Sequence, residues 1–118
     1  MIQGKIFRLK ENSMLLADVE RTQTVFERTR GLLGRDGLSR QQGLLITSCN
    51  AIHTFFMRFP IDVVFLNQQY RIEKITPQLV PFRLASCRRA SMVLEMRSGT
   101  AARAQLACGE KLRWERSR

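Results

Sequence analysis

Cys49 and His53 are four positions apart and are followed by an acidic residue, Asp62. A thiolate, an imidazole base and a carboxylate that orients the base are used in nucleophilic catalysis, provided that thiol and imidazole lie about 3 to 4 Å apart. In a regular strand, positions four apart are separated by roughly 13 Å, and the composition here favours an extended chain. Only a turn at Asn50 would bring the two side chains together. We therefore interpret Cys49 as a buried structural cysteine and keep catalysis as the alternative.

Met57 continues the spacing of four from Cys49 and His53, and thiolate, imidazole and thioether groups all suit Cu(I). This spacing aligns side chains on a helix, whereas a strand spreads them along one face, too far apart to share an ion. The three cysteines, Cys49, Cys87 and Cys108, have no CxxC spacing, so they indicate neither a zinc ribbon nor a disulfide framework. The sequence therefore predicts neither a metal site nor a cofactor.

Asp62 and Glu95 are acidic residues within otherwise apolar runs. A carboxylate buried in a strand must be paired or hydrogen-bonded to stay charged, and Arg58, His53 and Arg83 are candidate partners of Asp62. Each acid is therefore either half of a structural ion pair or a pocket carboxylate that orients a ligand. His53, the single histidine, is interpreted as a hydrogen-bonded residue lining the interior. The residues predicted to line a ligand pocket are His53, Arg58, Asp62 and Glu95.

The elements that must position these side chains are mostly short β-strands, about seven in number. A hairpin from Ile61 to Ile75 is the clearest, because an apolar run is followed by a tight polar connection and then by alternating apolar and charged residues. Many short strands joined by hairpins favour a small barrel-like or strongly bent sheet, since closure protects strand edges. The segments predicted to supply the strands are 5–10, 14–21, 43–49, 52–57, 61–66, 70–75, 92–96 and 110–115.

Two short helices complete the prediction of a single α+β domain over residues 1–118. The first runs from about Thr24 to Leu33, where apolar residues take helical spacing before a glycine. The second lies in the alanine-rich segment 101–107. Segment 77–91 contains two prolines and an Arg-Arg pair, which predicts an ordered loop that could serve as a mobile flap.

Composition and charge limit the class of protein. Of the 118 residues, 44% are hydrophobic, which suffices for one buried core, and no apolar run approaches the roughly 20 residues of a membrane-spanning helix. Twenty basic and ten acidic residues give a net charge of +10, which favours anionic partners. Phe55, Phe56 and Phe59 lie in an apolar block, so we interpret them as core residues rather than as a base-stacking platform. The N-terminal segment lacks the apolar core of a secretory signal, so we expect a cytoplasmic protein.

The block from Cys49 to Leu66, CNAIHTFFMRFPIDVVFL, resembles the central signature of the uncharacterised ancient-conserved-region family, domain of unknown function 192 (DUF192). The resemblance implies a compact β-rich fold with short helices, and it implies no agreed reaction, cofactor or ligand. Phe56 stands where some relatives have tryptophan, and Glu110 stands where some have aspartate. Supporting pieces follow in the same order along nearly the whole chain, at 30–35 (RGLLGR), 43–46 (GLLI), 93–96 (VLEM) and 109–112 (GEKL).

The leading functional prediction is a non-catalytic binding or accessory module with a polar pocket near the 49–66 block. Its partner would be a small polar or anionic ligand or an acidic protein. The alternatives are a small, hydrolase-like enzyme that uses Asp62, His53 or Cys49, and a basic nucleic-acid-binding domain that charge alone supports. The sequence contains no GxGxxG, Walker, GxSxG or HExxH motif, so dinucleotide binding, nucleotide hydrolysis, serine hydrolysis and zinc proteolysis lack their usual evidence.

Overall fold

The computed structural model describes residues 1–117, which form nine strands and two short α-helices. Within these residues, no helix is long or apolar enough to cross a bilayer. A single 3-10 turn at Lys10–Asn12 joins the first two strands. The strands are β1 (Ile2–Arg8), β2 (Ser13–Arg21), β3 (Gln42–Thr47), β4 (Ala51–His53), β5 (Ile61–Leu66), β6 (Ile72–Leu79), β7 (Leu84–Ser86), β8 (Met92–Arg97) and β9 (Leu112–Arg116), and the helices are α1 (Val25–Arg30) and α2 (Thr100–Arg103).

Seven strands form one mixed sheet in the order β6-β5-β8-β3-β2-β1-β9. Only β2 and β3 are parallel, because the chain crosses over through α1 between them, and the other neighbours are antiparallel. The remaining strands, β4 and β7, pair with each other in a separate two-stranded antiparallel sheet. The described chain is thus mostly β-sheet with two short helices.

The sheet is open. Its edge strands are β6 and β9, and among residues 1–117 the only bridge between these edges is an isolated one at Arg71 and Lys111. Two backbone hydrogen bonds flank this bridge, from Ile72 N to Glu110 O at 2.8 Å and from Leu112 N to Tyr70 O at 2.9 Å. Among residues 1–117 the sheet therefore closes into no barrel, whereas the predicted β-rich fold with two short helices is confirmed.

Both faces of the sheet are covered, which makes strand β5, between β6 and β8, completely buried. Val64 and Leu66 point into one hydrophobic cluster, together with residues of β1, β2 and β9. Val63 and Phe65 point into a second cluster, which includes Leu32 after α1 and residues of the β4–β7 pair. Because successive side chains of a strand alternate between faces, the position of each acidic residue along β5 or β8 decides which cluster it faces.

The hairpin predicted from Ile61 to Ile75 is confirmed as β5 and β6, and the strands predicted at 5–10 and 14–21 correspond to β1 and β2, which pair with each other. The predicted first helix is shorter than expected, because α1 ends at Arg30, where Gly31 adopts φ 52°. Its start is fixed by a capping box in which Thr24 and Glu27 each accept a backbone hydrogen bond from the other.

Two local predictions are wrong. Segment 52–57 is not one strand, since β4 ends at His53 and the chain then turns. Segment 77–91 is not a loop throughout, since β6 continues through Pro77 to Leu79 and a further strand, β7, follows. Proline is tolerated in β6 because this strand lies at the edge of the sheet.

Candidate functional site

A cavity of about 230 Å³ lies between α1 with its following loop, β3, β4 and β8. Its polar lining includes Arg28 and Arg30 from α1, Cys49 and His53 from around β4, and Glu95 from β8. Its apolar walls are formed by Leu32, Leu33, Ile46, Ile52 and Met57. The cavity thus combines charged groups of both signs with an apolar surface, which is typical of a small-molecule site.

Glu95 is the most unusual group of this cavity. Its side chain is 3% exposed, on a strand enclosed between β3 and β5. Within residues 1–117, its Oε1 atom has no hydrogen-bond partner. Burial raises the pKa of this carboxyl to about 7, against the opposing positive charge of Arg35. Glu95 therefore exchanges its proton near neutral pH, and it lacks the partner that buried carboxylates normally have.

Asp62 lies on the opposite face of the sheet from Glu95. It shares its face of β5 with Val64 and Leu66 in the first cluster, whereas Glu95 shares its face of β8 with Val93 in the second. The two carboxylates therefore do not converge on one pocket.

The Asp62 carboxylate is fully buried and accepts hydrogen bonds from backbone N–H groups. Its Oδ1 atom accepts a hydrogen bond from Gln78 N at 2.9 Å, and its Oδ2 atom accepts from Gly99 N at 3.1 Å and Ala101 N at 2.8 Å. It thereby ties an irregular point of β6, where Gln78 has φ 51°, to the start of α2. No hydrogen bond within residues 1–117 joins it to the side chain of Arg58, His53 or Arg83, so none of the three predicted partners is found.

Arg58 and His53, the other two candidate pocket residues, are both exposed. The Arg58 side chain is 66% exposed and forms a 2.6 Å ion pair with Asp36, which is 88% exposed. It does not line the cavity, whereas His53 does. His53 accepts a hydrogen bond at Nδ1 from Phe55 N at 3.2 Å, so it lies at the mouth of the cavity rather than in the interior. Of the four candidates, the cavity brings together His53 and Glu95 only.

Cys49 and His53 both line the cavity, but no hydrogen bond joins them within the described chain. The Cys49 thiol donates to Ala51 O at 3.1 Å, and burial raises its pKa. A protonated thiol that already donates a hydrogen bond is a poor nucleophile. Residues 1–117 also contain no group of three His, Cys, Asp or Glu side chains that could hold a metal ion.

Most of the chain matches a known protein family. Residues 7–114 match the model of the DUF192 family, whose description is "Uncharacterized ACR". The chain belongs to the DUF192 family. The resemblance seen in the sequence is thereby confirmed, and the match covers both the cavity and strand β5. No curated protein matches the sequence.

Two crystal structures share the fold of this DUF192 domain. One is a protein of unknown function from Novosphingobium aromaticivorans, with a TM-score of 0.77 and 20% identity, covering 95% of this chain and 84% of that one. The other is from Sinorhizobium meliloti and is named a "putative transcription regulator", with a TM-score of 0.80 and 20% identity, covering 96% of this chain and 92% of that one. At this identity the likeness shows a shared fold alone.

The DUF192 signature block also builds an exposed aromatic tip, which we define as Phe55, Phe56 and Phe82. Phe56 is 76% exposed and Phe82 is 55% exposed, and their ring centroids are 5.5 Å apart. Both residues have φ 65°, a conformation that bulky residues rarely adopt. Phe55 bridges the tip to His53 at the mouth of the cavity, with ring centroids 5.2 Å apart. The prediction that Phe55 and Phe56 are core residues is therefore wrong.

Thr54 explains why the chain turns here. It is fully buried, and its hydroxyl donates to Val80 O at 2.7 Å and accepts from Arg83 N at 2.9 Å. Its own N–H donates to Arg83 O at 2.9 Å, and its carbonyl accepts from Phe82 N at 3.0 Å. These contacts fasten the segment after β4 to the segment before β7, so the aromatic tip is held by a hydrogen-bonded scaffold.

The cavity wall formed by α1 and its following loop was not predicted from the sequence. Leu32 is buried and anchors this loop in the second cluster, while Gly31 and Gly34 adopt positive φ angles on either side of it. These residues belong to the RGLLGR piece of the family resemblance. That piece was the available signal, but it is distant in sequence from Glu95, and only the sheet brings the two together.

Proposed function

We propose that this domain is a non-catalytic binding module whose cavity receives a small polar ligand at Glu95. One observation carries this proposal, namely a buried carboxyl at a cavity wall with an oxygen that lacks a hydrogen-bond partner within residues 1–117. Leaving a buried polar group unpaired costs about 1 to 3 kcal/mol. A ligand that donates a hydrogen bond to this oxygen would recover that cost.

A binding function is favoured over the hydrolase-like alternative because Cys49 and Asp62 already use their reactive groups in hydrogen bonds to the backbone. The Cys49 thiol donates to a backbone carbonyl, and the Asp62 carboxylate accepts three backbone N–H groups on the opposite face of the sheet. Among residues 1–117, Glu95 therefore makes no hydrogen bond to Cys49, His53 or Asp62, the three groups predicted for a hydrolase-like reaction. The cytoplasmic location and an acidic protein partner stay predictions.

The test is a thermal-shift screen of small polar metabolites against the wild-type protein and Glu95→Gln. A ligand that donates to the carboxylate is expected to raise the melting temperature of the wild type, with affinity reduced at least about tenfold by the substitution. Asp36→Asn is the matched control, because it also neutralises an acid but at an 88% exposed position outside the cavity. Ligands that bind Glu95→Gln and the wild type equally well would refute the proposal.

Single-stranded nucleic acid is a second candidate partner, supported by the exposure of the aromatic tip. Exposed aromatic rings beside basic residues can stack on bases, at about 1 to 3 kcal/mol per base. Arg83 is exposed next to Phe82, and the whole chain carries a net charge of +10. This combination removes the objection that the phenylalanines belong to the core.

Phe56→Ser tests this second candidate in a gel-shift titration with a single-stranded oligonucleotide at several salt concentrations. We expect wild-type affinity to fall steeply with salt and the substitution to weaken binding about tenfold at each salt concentration. Leu9→Ser is the control, because Leu9 is a 52% exposed apolar residue outside the tip. Equal binding by both variants, or no binding by the wild type at low salt, would exclude the aromatic tip as a nucleic-acid site.

A further inference from the structure

Arg28 supplies the cavity with a positive charge that has no acidic partner. Its side chain is half-buried and lines the cavity, and no carboxylate within residues 1–117 lies within salt-bridge distance of it. Arg30 also lines the cavity and has no carboxylate partner among residues 1–117, but it is exposed, whereas Arg35 is paired with Glu20 at 2.7 Å. The guanidinium of Arg28 therefore has free donors beside the cavity.

Arg28 and Glu95 are opposite charges in the lining of the same cavity. They do not form an ion pair, although the cavity contains both. Burial is the main influence on the Cys49 thiol and raises its pKa; of the two nearby charges, that of Glu95 raises this pKa and that of Arg28 lowers it. The positive charge that acts on Glu95 is that of Arg35 instead. Cys49 therefore lies near both charged groups, and all three residues line the same cavity.

Apolar side chains lie around these two charges. Leu32, Ile46 and Met57 are buried residues that line the cavity, and they offer no hydrogen bonds from their side chains. A cavity that contains two unpaired opposite charges and an apolar wall favours a molecule that carries both complementary charges and an apolar part. The volume of about 230 Å³ is below the roughly 300 to 1,000 Å³ of pockets for drug-sized molecules, so that molecule must be small.

We propose that the ligand is a small zwitterion with a protonated amine that binds Glu95 and an anionic group that binds Arg28. This inference rests on the binding function proposed above and names its ligand class. An ammonium group donates to the unpaired Glu95 oxygen, and a carboxylate or phosphate accepts two parallel hydrogen bonds from the guanidinium. The apolar chain between the two groups contacts the Leu32, Ile46 and Met57 walls.

Three probes of equal chain length test the zwitterion, namely 6-aminohexanoate, hexanoate and hexylamine. The first carries both charged groups, and each of the others carries one. Isothermal titration calorimetry is expected to show that 6-aminohexanoate binds the wild-type protein at least about tenfold more tightly than either single-charge probe, because a charge-assisted hydrogen bond contributes about 1.5 to 3 kcal/mol.

Variants assign each end of the zwitterion. Glu95→Gln is expected to weaken 6-aminohexanoate about tenfold or more and to leave hexanoate unchanged. Arg28→Gln is expected to weaken 6-aminohexanoate and hexanoate but not hexylamine, and Arg28→Lys, which keeps the charge without the fork, should lie between. Arg88→Gln is the control, because Arg88 is exposed and does not line the cavity. Circular dichroism confirms that each variant is folded.

The outcomes separate this inference from the proposed function. If hexylamine binds as tightly as 6-aminohexanoate and depends on Glu95 but not on Arg28, the zwitterion is refuted while binding at Glu95 stands. If none of the three probes binds the wild type, the zwitterion is also refuted, and the metabolite screen decides the proposed function separately.

Discussion

Glu95→Gln is expected to remove a loss of stability that the wild-type domain undergoes between about pH 4.5 and pH 7. The folded protein keeps the Glu95 proton up to about pH 7, whereas the unfolded chain releases it near the ordinary value of 4.5. Between these values the folded state binds more protons, so its stability falls as the pH rises. At 1.36 kcal/mol per pH unit, the whole difference corresponds to a decrease in the free energy of unfolding of about 3 kcal/mol.

Urea denaturation at a series of pH values from 4 to 8 measures this effect. Glutamine has nearly the shape of glutamic acid but does not ionise, so the stability difference between Glu95→Gln and the wild type should grow in favour of the variant as the pH rises. His53→Gln is the control, because His53 lines the same cavity but is exposed. The free energy of unfolding of this variant should keep the decrease with pH that Glu95 causes in the wild type. Parallel stability profiles for the wild type and Glu95→Gln would show that the carboxyl ionises normally.

This pH dependence connects stability with the proposed function. The ionised form of Glu95 is costly because it lacks a partner within residues 1–117. A bound ammonium group supplies that partner, so ligand binding should stabilise the domain most above pH 7, where the empty cavity is least favourable. Ionisation of Glu95 is therefore expected to lower the stability of the unliganded domain and to strengthen the binding of an ammonium group.

The sequence predicted the centre of the fold better than its periphery. The β5 strand has the predicted bounds, because a short apolar run that only Asp62 interrupts is typical of a strand buried on both faces. Segment 52–57 was wrongly predicted as a strand, because the turn after His53 depends on the hydrogen bonds of Thr54 to Val80 and Arg83, which are remote in sequence. Local patterns cannot contain such tertiary contacts.

The candidate site was predicted in part, for a related reason. Both buried acids, Asp62 and Glu95, could be found in the sequence because each interrupts an apolar run. Which of them faces a cavity depends on the pairing of β5 with β8, where Val63 rather than Asp62 is opposite Glu95. A shift of one residue in this register would have placed the two acids on the same face. The sequence alone does not fix that register.

Asp62→Asn is expected to reduce the free energy of unfolding by about 2 to 4 kcal/mol. The carboxylate accepts three backbone N–H groups from two separate segments. An amide has one oxygen, so if that oxygen serves Gly99 and Ala101, its NH₂ group faces the N–H of Gln78 and two donors oppose each other. A buried donor without an acceptor costs about 1 to 3 kcal/mol, and losing the negative charge weakens the two remaining bonds.

Urea denaturation and amide hydrogen exchange distinguish this structural role of Asp62 from a role in binding. Exchange should accelerate at Gln78, Gly99 and Ala101 beyond the change in global stability, because these amides lose their shared acceptor. Asp36→Asn, at the exposed end of an ion pair, should change stability by less than about 0.5 kcal/mol. At a temperature where Asp62→Asn is folded, it should bind cavity ligands as the wild type does, in contrast to Glu95→Gln. Loss of ligand binding by folded Asp62→Asn would mean that the two faces of the sheet are coupled.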